Sequence, residues 1–90
     1  MEQKNIVVEI RLDDGCVSMY IGELVSRDSS SIKLTKASWI ACTGRRHLFF
    51  AGKPDENTEI EPYPDGTVLE LPAAGSIVTS WEYPLPRDAV

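Results

Sequence analysis

Apolar and polar residues alternate with a period of two along the first third of the chain. Ile6, Val8, Ile10 and Leu12 share one parity and Glu9 and Arg11 take the other, with Val7 the exception. This is the pattern of a half-buried strand. Asp13-Asp14-Gly15 follows as a hairpin loop in which Gly15 is free to take a positive φ. Residues 16–27 are again strand-like, Val17, Met19 and Ile21 alternating with Ser18 and Tyr20. Gly22 falls where this pattern loosens and predicts a bend or bulge. After the turn Asp28-Ser29-Ser30-Ser31, Ile32 and Leu34 open a third strand. Farther on, Ala37, Trp39 and Ala41 lie on the opposite parity, so a bulge is expected near Lys36.

The alternation breaks at residues 45–51. Leu48, Phe49 and Phe50 ahead of Gly52 predict one short helix, with Thr43 as its N-cap and the glycine as its stop. A strand competes there, since Phe favours sheets. Residues 53–58 are polar and read as an exposed loop. Residues 59–63 are extended, and Pro62 and Pro64 restrict them to a sheet edge. Pro64-Asp65-Gly66 is a turn, 67–71 a strand, 72–75 a turn and 76–83 the last strand. Pro84-Leu85-Pro86 ends the pattern as a polyproline-like tail. The sum is mainly β: five to six short strands with one short helix near 45–51. That predicts a small SH3-like or Sm-like barrel or sandwich, as a single β domain over 1–87 with a tail at 88–90.

Ninety residues bound one domain with a small core, which self-association would help, so a homo-oligomer is expected. No apolar run reaches the roughly 20 residues of a membrane helix, and residues 1–14 lack a secretory h-region. A cytoplasmic location without membrane contact is expected. Cys16 and Cys42 form no CxxC or Cys/His cluster; no metal site is expected, and both thiols read as small buried apolar residues in a reducing compartment.

Charge changes the picture more. The formal net charge of −5 is unevenly spread. Lys33, Lys36, Arg45, Arg46 and Lys53 lie in a window, residues 29–54, with no acid, while both flanks are acidic. Long nucleic acid would be repelled by most of this surface, whereas a small anion can be held locally.

Candidate chemistry concentrates in residues 37–46. With Thr43 as N-cap, the backbone N–H groups of Gly44, Arg45 and Arg46 would face an anion, and Gly44 would let it approach closely. Arg45 and Arg46 suit phosphate oxygens, with Lys36 adding charge. Trp39 or Tyr20 can stack on a base. Two plainer readings stand beside this one: Trp39 as core, and the arginines paired with carboxylates of the same chain. No nucleophile is tied by spacing to His47, the single histidine, which reads as a surface or cap residue. The acids Asp55, Glu56, Glu59 and Glu61 lack a calcium-loop pattern and read as a solvated face, and Trp81 reads as core. No catalytic residue and no cofactor are expected.

The stretch Ala37-Ser38-Trp39-Ile40-Ala41-Cys42-Thr43-Gly44-Arg45 resembles a group of small bacteriophage-encoded proteins with an A-x-W-I-A-x-T-G-R signature. The likeness runs on through Ile60-Glu61-Pro62-Tyr63-Pro64 and Ser76-Ile77-Val78-Thr79-Ser80-Trp81 to Leu85-Pro86. It implies a phage protein acting in an infected bacterial cell. By analogy with counter-defence sponges, a cationic spot in such a protein is expected to sequester a small nucleotide immune signal, such as a cyclic dinucleotide, without cleaving it. The alternative is a non-enzymatic protein-interaction module, either a virion component or an adaptor for a host protein.

Overall fold

The computed structural model describes residues 4–12 and 15–86. Strand β1 spans Asn5–Arg11, β2 Val17–Arg27 and β3 Ser31–Cys42; helix α1 is Arg46–Phe50; β4 is Glu59–Pro62, β5 Val68–Pro72 and β6 Ser76–Trp81. All pairings are antiparallel, in the order β4-β3-β2-β1-β6, with β5 also on β3. The fold is mainly β with one short helix, as the alternation predicts; the sheet is not closed. Asp13, Asp14 and the expected tail at 88–90 lie outside the described residues, while Gly15 has φ +87.

The period of two explains a core built on both faces of one sheet. One face gathers Ile6, Val8, Ile32, Leu34, Ala37 and Leu71, with Tyr20, Leu24, Tyr63, Leu69 and Val78 at its margin. The other gathers Val7, Met19, Ile21, Ile40, Ile60 and Trp81 under Phe49 of α1, with Phe50 and Leu85 packed alongside. Val7, the exception to the alternation, is thus a core residue of the helix-covered face.

Both expected irregularities are present. The β2–β3 register shifts at Gly22, where an added Cβ would lie 3.0 Å from the Thr35 carbonyl oxygen. Lys36 sits at φ +51, a left-handed backbone that inserts one residue and reverses the parity of β3. Ile32 and Leu34 before it, and Ala37 after it, therefore reach the same core. Pro62 lies in β4, an edge strand, as its missing N–H requires.

Helix, not strand, occupies 46–50. It closes as expected: the Gly52 N–H donates to the Phe49 carbonyl (3.0 Å) and the Lys53 N–H to that of Leu48 (2.9 Å), with Gly52 at φ +79. This is the paired-bond Schellman ending that glycine permits. The C-terminal tail does not stand off. Leu85 packs on the helix-side core, Ser38 Oγ donates to the Pro86 carbonyl (3.3 Å), and Trp81 Nε1 donates to that of Pro84 (3.3 Å). Among the described residues no helix is long and apolar enough to cross a membrane.

Candidate functional site

The seven residues expected to form one ligand site fall in four places. Arg46 lies on the helix-covered face, where its guanidinium pairs with Glu9, stacks 4.9 Å from the Phe50 ring centroid and reaches Met19 Sδ at 3.9 Å. Glu9 is only 8% exposed, so Arg46 neutralises a carboxylate that would otherwise be buried alone. Lys36 pairs with Glu23 at 3.6 Å. Of the two arginines, Arg46 is engaged by an acid of its own chain, as the plainer reading has it, and so is Lys36.

Thr43 is not the N-cap. That position is Arg45, at φ −74 and ψ 115, with no side-chain cap bond, and the Thr43 hydroxyl donates to the Gly44 carbonyl at 3.1 Å. The cause is Gly44 at φ +68, which turns the chain before the helix begins. An anion does sit against this backbone, and it is Asp55. Its Oδ2 accepts from the Arg45 N–H (3.0 Å) and its Oδ1 from that of Asn57 (2.8 Å), while the Gly44 N–H donates to Cys42 Sγ (3.4 Å). A Cβ at Gly44 would lie 2.1 Å from Asp55 Oδ1, so the close approach expected of a ligand is made by this side chain.

The loop at 53–58 is accordingly built rather than merely solvated. Thr58 is buried, its hydroxyl donating to the Thr43 carbonyl (2.8 Å) and accepting from the Asp55 N–H (3.0 Å). Both thiols, expected to be buried, are exposed: Cys16 follows the first hairpin and Cys42 ends β3, beyond the reach of either core.

Backbone donors at Arg45 and Asn57 hold the Asp55 carboxyl below its ordinary 3.8. Those at Ser30 and Ser31 do the same for Asp28, helped by the Ser30 hydroxyl and Lys33. A carboxyl whose folded value is depressed contributes its full stability above the unfolded value and loses it as pH falls through the folded one. Melting temperature should therefore decline as pH falls from about 4. Asp55→Asn should flatten part of that decline; an unchanged acid limb in thermal melts would show that the Asp55 bonds do not form.

Trp39 and Tyr20 are brought together. They are directly opposed across β3 and β2, and Glu61 of β4 opposes Trp39 on the other side. Directly opposed antiparallel residues point to the same face, so Tyr20, Trp39 and Glu61 form a row across three strands. Tyr63 adjoins it, its N–H donating to the Ala37 carbonyl at 2.9 Å. Burial, and secondarily Tyr20, raise the Tyr63 phenol above 10.0. Trp39 is 37% exposed rather than core. Strand β5, whose Leu69 and Leu71 cover this face, pairs with β3 only over Ser31 to Thr35 and stops short of Trp39.

Glu61 and Tyr63 were not expected at a site. The signal available in the sequence was their alternation through the edge strand, which puts both on one face. Among the described residues no group of three His, Cys, Asp or Glu side chains could hold a metal ion. A cleft of about 520 Å³ opens elsewhere, on the helix-side face beyond Glu9, lined by Arg11, Leu12, Val17, Ala74, Gly75 and Ile77. No protein-family model, curated protein or solved structure matches the chain.

Proposed function

We propose that the protein is a non-catalytic interaction module that docks a cationic side chain, Arg or Lys, of a partner protein onto Trp39. The row Tyr20–Trp39–Glu61 carries this reading: an indole 37% exposed, with an aromatic residue and an exposed carboxylate opposite it on the two neighbouring strands. Indole faces attract guanidinium and ammonium groups, and a neighbouring carboxylate adds to the attraction. The chain's net charge of −5 favours the same partner at longer range. The resemblance to phage proteins supplies a setting, in which the partner is a host protein or a virion component.

Trp81 is buried, so quenchers in solution act mainly on Trp39. With each ion's quenching normalised to that of free N-acetyltryptophanamide, caesium should quench the Trp39 fluorescence more strongly than iodide, and Glu61→Gln should remove that preference. An arginine-containing peptide should perturb the same emission, and Trp39→Ala should raise its Kd roughly tenfold. Stronger quenching by iodide, with no response to the peptide, would sink the proposal.

Sequestration of a small nucleotide is the second reading. It is favoured by the same partly exposed indole and by the exposed Arg45 side chain, which makes no ion pair within 4.0 Å among the described residues. Titration with a cyclic dinucleotide separates the two. A nucleotide ligand at 100 times its Kd would add about 2.7 kcal/mol of stability and be recovered intact.

A further inference from the structure

Three strands have an edge with no partner strand among the described residues, and they differ in how that edge is protected. β4 carries Glu59, Glu61 and Pro62, and β5 carries Glu70 and Pro72. Charges and prolines of this kind keep natural sheet edges from pairing with other chains. β6 reads Ser-Ile-Val-Thr-Ser-Trp, with neither a charge nor a proline, and pairs with β1 alone. Ile77 on it is 60% exposed.

We propose that β6 is a self-pairing edge and that two copies of this chain join antiparallel through it, making one continuous sheet. A second copy fits better than a foreign strand for two reasons. Every cross-strand pair formed by β6 with itself is neutral against neutral, so no like charges oppose. The net charge of −5 on each copy opposes every contact between copies, and an edge without charged residues adds no local repulsion to it. A 90-residue chain with a small, divided core also gains from the added burial.

Symmetry restricts the register. Antiparallel pairing about a two-fold axis normal to the sheet requires opposed residues to lie on the same face, and side chains alternate. The register centred on Thr79 sets Thr79 against Thr79 of the second copy and Ile77 against Trp81 of the second copy. That is an aromatic against a β-branched residue, among the favourable cross-strand pairs.

Sedimentation equilibrium of the full chain from micromolar to millimolar concentration tests this. A monomer–dimer equilibrium is expected, tightening as salt screens the net charge. Thr79→Lys and Thr79→Glu, which place like charges at the two-fold axis, should each be monomeric, and an equimolar mixture of the two should dimerise again. If either Thr79 variant loses its native circular dichroism, Ile77→Lys at the more exposed position takes its place and should weaken dimerisation at least tenfold. A wild type that stays monomeric throughout overturns the proposal. So does one whose dimer survives these substitutions, or one that assembles beyond two copies.

Discussion

Phe49→Ala should cost about 3–5 kcal/mol and leave the protein close to unfolding at room temperature. Removing a fully buried aromatic side chain loses its transfer free energy and opens a cavity that neighbours only partly fill. Phe49 is 0% exposed, and its ring centroid lies 5.1 Å from that of Trp81 and 5.5 Å from that of Phe50. It is the one fully buried residue of α1, so it holds the helix to the sheet. A domain of this size has a total stability toward the lower end of about 5–15 kcal/mol. Urea unfolding followed through Trp81 fluorescence reads the effect directly, because Trp81 is the neighbour exposed by the change. A midpoint shift worth less than about 1 kcal/mol would mean that α1 is not packed where it is placed.

Arg46→Ala should destabilise the fold by about 2 kcal/mol, whether or not any ligand is present. Breaking a fully buried ion pair from one side costs about 3–5 kcal/mol, because the remaining charge is left without compensation. Here Glu9 is the buried partner, while the Arg46 side chain is 59% exposed, so solvent reduces the figure. Arg46→Lys should recover only part of the loss, since an ammonium lacks the planar stacking on Phe50. Glu9→Met with Arg46→Leu should recover most of it, because apolar replacement of both partners leaves no charge buried alone. An unchanged urea midpoint for Arg46→Ala would show that the guanidinium is not committed to Glu9 and would return it to the pool of ligand-binding cations.

The fate of the two arginines shows where sequence reading stops. Their setting in an acid-free window is a property of the chain order, and it suggested a local concentration of positive charge. Ion pairing depends on distance in space. Glu9 lies 37 positions before Arg46 and Glu23 lies 13 before Lys36, while Asp55, 10 beyond Arg45, accepts from that residue's backbone N–H. Each acid is outside the window along the chain and adjacent to it in the fold. Thr43 illustrates the same limit: a threonine before a helix is a sound local cap signal, but Gly44 turns the chain and Asp55 arrives from another loop. Trp39 is a third case. Its parity with Ala37 was legible, but parity does not tell how far along the strand the opposite layer extends.

Other features were legible because they depend on neighbours in sequence. The short helix and its glycine stop follow from the loss of alternation and from the left-handed backbone that glycine tolerates. The bulge at Lys36 follows from a change of parity that no regular strand can accommodate, and the edge position of β4 from the missing donor of proline.

Residue order alone is therefore enough for the local grammar: mainly β, strands close to their expected bounds, two irregularities, one helix and its ending. Side-chain period, turn chemistry and proline geometry are short-range properties, written within a few residues. The folded chain alone settles which charges are satisfied and which aromatic is left exposed. Those outcomes rest on long-range pairing and on where a covering strand happens to end. Residues 37–46 accordingly pass from an expected anion pocket to a strand end that presents Trp39, with Arg46 held by Glu9 and the Arg45 side chain left exposed.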